Sequence, residues 1–191
     1  MTIVFPEMPG LTKDQVLTLS RVRTYKQYLT LLESYQKGAC AFCDPMDMEL
    51  NPIIQRNHLW RMWVNPFPQK HTKCHLIMAP KRYVGPEDSF LQEDLTAAGD
   101  LFFWARSEFK LKGGGFVLRF GSPLDNAGSV LHLHANIIVP DGTGDVSVAL
   151  AKSAIRIEHG FDRLRVFEKL RKGLPLEALS AGELALVSGY L

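Results

Sequence analysis

Long apolar runs are missing from this sequence. No stretch approaches the ~18 residues that a membrane span needs, and the opening "MTIVFPEMPGLTKDQ" has no basic segment leading into an apolar one. The expectation is a soluble, cytoplasmic protein with no membrane partner. Excess charge is missing too: 22 Lys and Arg against 20 Asp and Glu leave a net +2, too little for a broad nucleic-acid surface and of the wrong sign for an acidic tail. An anionic ligand must then be met by a local site. Cysteine is scarce and odd in number, three in all, which argues against a disulfide framework. Two of the three form "CAFC", Cys40 and Cys43, and in a reducing compartment that spacing points to metal ligation or redox chemistry. Cys74 reads as an ordinary buried thiol. Repeats and low-complexity tracts are absent as well.

What is present suits one domain with extensions. The chain has 191 residues, 46% of them hydrophobic, enough for a core of its own. Val16, Leu19, Val22, Tyr25, Tyr28, Leu29, Leu32 and Tyr35 step by three or four, so a helix is expected from Leu11 to Lys37, ended by Gly38. "HLWRMWVNP" (58–66) and "KCHLIMAPK" (73–81) read as strands of a hairpin. Phe90, Leu91, Leu95, Leu101, Phe102, Ala105 and Phe109 mark a long helix that stops at "KGGG". "GFVLRFG" (115–121), "SVLHLHANIIVP" (129–140) and "DVSVALA" (145–151) are three further strand candidates. A charged helix follows around "FDRLRVFEKLRKG"; Pro175 can open a last helical segment, and "SAGE" from Ser180 has capping-box spacing. The reading is an α+β fold: an antiparallel sheet of about five strands, one long helix, and helical extensions at 1–38 and 153–191 around a central domain at 39–152.

The chemistry gathers in "SVLHLHANIIVP". Alternate side chains of a strand share a face, so His132, His134 and Asn136 form a polar row spaced at ~7 Å. Such a row suits nucleophilic attack on phosphorus: one neutral imidazole attacks while its neighbours orient it and stabilise charge on the phosphoryl oxygens. Ser129, at the strand's entrance behind the turn "DNAG", can meet a phosphate oxygen.

This arrangement resembles the histidine triad (HIT) superfamily, whose signature is His-x-His-x-His preceded by a Gly-Ser or Gln-Ser segment. The likeness extends to "CAFC" and to the hairpin "NHLWRMWVNPFPQKHTKCHLIMAPKRYV", and covers roughly Cys40 to Pro140. It implies that His134 is the nucleophile that becomes nucleotidylated, that His132 orients the site or ligates a metal, and that His75 and Ser129 lie near the substrate. Two departures stand out. Asn136 occupies the place of the third histidine, where relatives of galactose-1-phosphate uridylyltransferase and the diadenosine tetraphosphate phosphorylases carry glutamine; an amide cannot titrate near neutrality. Asn65 stands where many members hold the ribose hydroxyls with an aspartate. Arg119 on the preceding strand can bring positive charge to a phosphate.

The resemblance also implies zinc, with Cys40, Cys43 and His132 as ligands, although Tyr83 of "PKRY" replaces the histidine expected as the fourth. His58, His71 or water would have to complete the set. The implied activity is a nucleotidyl transferase or hydrolase acting on a nucleoside phosphate, in particular an adenine nucleotide or dinucleotide, through a nucleotidyl-histidine. No cofactor is needed for the chemistry, no nucleic acid is expected as partner, and relatives are often homodimers. The alternative is a nucleotide-binding or regulatory module whose altered triad no longer turns over; a purely structural zinc knuckle leaves the histidine row unexplained.

Overall fold

A computed structural model of the chain describes residues 3–43, 52–89 and 91–191. In chain order the elements are α1 (Lys13–Leu19), α2 (Tyr25–Gln36), β1 (Ile53–Arg56), β2 (Trp60–Val64), β3 (Thr72–Pro80), α3 (Gln92–Glu108), β4 (Gly115–Arg119), β5 (His134–Pro140), α4 (Ala154–Arg171) and α5 (Ala181–Val187). They fall into two compact units: Cys40–Ser122 with His132–Ala149, and Met1–Ala39 with Pro123–Leu131 and Leu150–Leu191. Among the described residues no helix is long and apolar enough to cross a membrane.

The first unit is α+β, as its sequence implies. Its strands form an antiparallel sheet in the order β1-β2-β3-β5-β4. Strand alternation gives the sheet two different faces. One face sends Trp60, Met62, Leu76, Met78, Ala135 and Ile137 against Ala97, Ala98, Leu101 and Ala105 of α3, and this is the main core. The small residues of α3 let the helix lie close to the sheet, and each large side chain removed from water there contributes ~1.5–3 kcal/mol. Asp94 ties the helix start, accepting from the Leu91 N–H at 2.8 Å and from Arg82 at 2.5 Å. The other face carries a smaller cluster of Trp63, Ile77 and Ala79, with Phe42 and Ile53 packed on it. The polar row shares that second face.

The second unit is helical. Tyr28, Phe161 and Phe167 are fully buried in it, with Tyr28 and Phe167 ring centroids 5.2 Å apart. Gly160 of α4 packs against the turn after α1: a Cβ there would meet the Ser20 carbonyl oxygen at 2.6 Å. Ser180 and Glu183 form the expected capping box of α5, and Pro175 precedes a 3-10 turn at Leu176–Ala178.

Three expectations need correction. The helix expected from Leu11 to Lys37 is two helices, because Thr24 caps a new start by accepting from the Gln27 N–H at 3.0 Å. "DVSVALA" is not a strand; the fifth strand is β1, whose "IIQR" is too short to show alternation. His132 lies two residues before β5 and not on it, so the polar row begins in a bend. Phe90, counted in the α3 pattern, lies outside the described residues.

Candidate functional site

His134 opens β5 and is 7% exposed. Its Nδ1 lies 2.9 Å from the His132 carbonyl oxygen. A carbonyl can only accept, so Nδ1 carries the proton and donates. In the neutral ring this puts the lone pair on Nε2, the form that a nucleophile or general base needs. The ring packs edge-on against Phe42, with centroids 5.3 Å apart. Register pairs His134 with Arg119 across β4 and β5, so both side chains leave the same face. Arg119 donates from Nη1 to the Ala149 carbonyl at 3.0 Å, while its Nε is buried without an acceptor among the described residues.

Asn136, also 7% exposed, lies next in the row and joins a second cluster with His75 and Asn65, each 4% exposed. The Gln69 backbone N–H donates to His75 Nδ1 at 3.1 Å. The ring proton therefore sits on Nε2, which donates to Asn136 Oδ1 at 3.1 Å. Asn65 Nδ2 lies 3.0 Å from the same nitrogen, and its Oδ1 accepts from the Phe67 N–H at 2.9 Å. Asn136 Nδ2 is left buried with no acceptor among the described residues. Such an orphan donor costs ~1–3 kcal/mol until something polar meets it. Asn65 and His75 also line a cavity of about 490 Å³, together with Val64, Pro68, Leu76 and Phe109, mostly apolar and large enough for a small ligand. Cys74 lines it too and is half-buried; burial pushes its thiol up from the usual range.

Cys40, Cys43 and His132 do converge. Both sulfurs approach His132 Nδ1, Cys40 at 3.2 Å and Cys43 at 3.1 Å, and the three donor atoms lie within 4.8 Å of one another. Zinc with bonds of ~2.3 Å to sulfur and ~2.0–2.1 Å to nitrogen sets tetrahedral S···N edges near ~3.5 Å. The three donors fit three corners of that figure. Burial pushes the His132 imidazole down to about 4, reinforced by the Arg61 and Arg82 charges and opposed by the Pro80 and Arg82 carbonyls, so the ring is the neutral base that a metal requires. Neither His58 nor His71 joins the group among the described residues; His71 pairs instead with Thr143 Oγ1 at 2.8 Å. Tyr83 sets its ring edge-on to His132, with centroids 5.3 Å apart.

Ser129 belongs to the helical unit, where its Oγ accepts from Gln27 Nε2 at 3.4 Å. Sequence reading missed Phe42, which contacts both histidine rings, and Gln69, whose backbone fixes the His75 tautomer. The position of Phe42 between two cysteines was a usable signal; a backbone donor leaves none.

No known family's sequence profile matches the chain, and no curated protein is similar to it. Solved structures are. A HIT family hydrolase from Legionella pneumophila Philadelphia 1 is 18% identical over 56% of this chain and 96% of that one, with a TM-score of 0.40. A Zn-bound histidine triad family protein from Mycobacterium smegmatis is 16% identical over 67% of this chain and 96% of that one, TM-score 0.42. The histidine triad nucleotide-binding protein from Candida albicans is 16% identical over 70% and 99%, TM-score 0.43.

Proposed function

We propose that the chain is a nucleotidyl transferase or hydrolase of the histidine triad type, acting on an adenine nucleotide or dinucleotide. His134 Nε2 attacks the α-phosphorus, a P–N bond forms, and the P–O bond to the leaving group breaks. Water or phosphate then attacks the same phosphorus, the P–N bond breaks, and the lone pair returns to Nε2. The observation that carries this reading is the tautomer of His134, locked by the His132 carbonyl with the proton on Nδ1. Asn136 Nδ2, an unsatisfied donor on the same face, is offered a phosphate oxygen, and Arg119 brings the compensating charge. Asn65 with His75 is proposed as the ribose side of the site.

The donor set of Cys40, Cys43 and His132 supports zinc in a structural role. A bound zinc would supply a fixed link between the "CAFC" turn and the residues entering β5, leaving the attack to His134. A homodimer would use β4, which among the described residues is an edge strand paired with β5 alone and has Phe116 exposed. A second reading, a nucleotide-binding module without turnover, is favoured by the burial of His134 under Phe42 and by the amide at position 136. Incubation with diadenosine polyphosphates, adenylylated amines and sugar nucleotides, with and without phosphate, separates the two. Product formation lost in His134→Ala supports the enzyme; tight binding with no product from any of them supports the module.

A further inference from the structure

His134 is almost closed to solvent. Its ring is 7% exposed, and the edge-on ring of Phe42 lies on it with centroids 5.3 Å apart. The same phenyl ring packs against Trp63, 5.1 Å between centroids, and on Ile77 and Ala79 of the sheet. Attack on phosphorus needs that ring moved, so whatever holds Phe42 decides when the imidazole is free.

Phe42 sits in the middle of a turn fastened at both ends. The Cys43 N–H donates to the Cys40 carbonyl at 3.0 Å, and both sulfurs approach His132 Nδ1. At the centre, the Phe42 N–H donates to Cys40 Sγ at 3.4 Å, and the Phe42 carbonyl accepts from Arg61 Nη2 at 2.5 Å. Arg61 alternates along β2 with Trp60 and Met62 of the main core, so its side chain leaves the sheet on the opposite face, that of His134. Register brings it into line with the site. Arg61 lies opposite Ala79 and Arg119 opposite His134, while Met78, just before Ala79, lies opposite Ala135, just after His134. Arg61, Ala79, His134 and Arg119 therefore cross the sheet on one face, with an arginine on either side of the nucleophile.

The partner that Arg61 holds is neutral. Among the described residues Arg61 forms no ion pair, and its Nε is buried without an acceptor. A phosphate oxygen, itself charged, competes for a guanidinium better than a carbonyl does, and a phosphate can take two N–H groups at once. A ligand shifts such an equilibrium only through contacts made in one state and not in the other. Here the uncovered His134 Nε2 and the released guanidinium are both offered only once Phe42 has moved.

We propose that Arg61 is a positioning residue that couples phosphate binding to the uncovering of His134. In the free protein it holds Phe42 over the imidazole; a phosphate beyond the one under attack draws the guanidinium off the Phe42 carbonyl and releases the ring. Arg61 and His134 stand two strands apart, ~9–10 Å at the ordinary strand spacing, which is more than one phosphate group spans. The substrate class that follows carries at least two linked phosphates. This role deepens the reading of His134 as the nucleophile and rests on it, while the hold on Phe42 is measurable without turnover.

The first arm of the test is carbethoxylation of His134 by diethyl pyrocarbonate in phosphate-free buffer, mapped by mass spectrometry. Phe42→Ala and Arg61→Ala are each expected to raise the His134 rate at least ~10-fold, the weight of one hydrogen bond to a charged group. Arg61→Lys, which keeps a donor for the carbonyl, should stay near the parent rate. His75, 4% exposed, is the control, and its rate should not change. In the second arm tripolyphosphate, inorganic phosphate and matched sodium chloride are titrated while the Trp63 emission, taken as the part lost in Trp63→Phe, reports the departure of Phe42. A red shift is expected with tripolyphosphate, at least ~10-fold weaker binding with inorganic phosphate, and no response in Arg61→Ala. An unchanged His134 rate in Arg61→Ala or Phe42→Ala, a His75 rate that rises in step with it, equal potency of the two phosphates, or a red shift that survives in Arg61→Ala would each overturn the proposal. A parent that passes both arms yet turns over no nucleotide loses the nucleotidyl-histidine and keeps the hold of Arg61 on Phe42.

Discussion

Replacing Asn136 by alanine separates two roles that one amide holds at opposite ends. Its Oδ1 accepts from His75 Nε2 at 3.1 Å, while its Nδ2 is buried with no acceptor among the described residues. In the free protein Asn136→Ala takes the Asn136 acceptor from the buried His75 Nε2–H, at ~1–3 kcal/mol, and removes an orphan donor that itself costs ~1–3 kcal/mol. The two changes oppose each other, so stability should move by no more than ~2 kcal/mol in urea unfolding. Binding should respond quite differently. If Nδ2 meets a phosphate oxygen, its loss removes a charge-assisted bond of ~1.5–3 kcal/mol, a ~10–150-fold loss of affinity for adenosine monophosphate by calorimetry. A loss of more than ~3 kcal/mol of stability with unchanged affinity would refute the reasoning, since the amide would then be a structural link and the donor no part of a site.

Three further outcomes are expected. Protein purified without added metal should carry one zinc per chain by elemental analysis, and Cys40→Ser or Cys43→Ser should release it and lower Tm; metal-free protein of undiminished Tm contradicts the structural role. Gly160→Ala should destabilise the helical unit by ~1–3 kcal/mol in urea unfolding despite the higher helix propensity of alanine, because the added Cβ meets the Ser20 carbonyl oxygen at 2.6 Å; a gain in stability would show that α4 does not lie that close. Lys152, whose ammonium is disfavoured by burial and then by the charges of Arg163, Arg21, Arg156 and Arg23, should make stability rise with pH. Its pKa is about 8 when folded against an ordinary 10.5 in the unfolded chain, so between those values the unfolded chain binds more protons, and the gain is complete only above the higher one. The pH–stability curve of Lys152→Gln should lack that rise; a parallel curve contradicts the lowered pKa.

Much of the sheet unit was legible because its signals are local. Apolar runs bounded by proline located β2 and β3, and His-x-His-x-Asn announced a polar face, while α3 ends at Glu108 with Lys110 in the left-handed region, ahead of the glycines expected to stop it. The break between α1 and α2 was hidden because Val22 keeps the apolar rhythm across the gap, while the cap at Thr24 with Gln27 three residues on was the stronger signal. β1 escaped because "IIQR" is too short for a period. The site was legible as residue types but not as bonds. The convergence of Cys40 and Cys43 on His132 could be guessed from motif; the proton positions on His134 and His75 could not, because backbone groups fix them.

The central claim is that the imidazole of His134 presents a lone pair on Nε2 to phosphorus. Mixing the chain with a diadenosine polyphosphate, quenching in alkali to preserve a P–N bond, and mapping the modified peptide by mass spectrometry tests it directly. One adenylyl group on His134, absent from His134→Ala, is the expected result. Turnover with no adduct on any histidine, or undiminished turnover in His134→Ala, would contradict it.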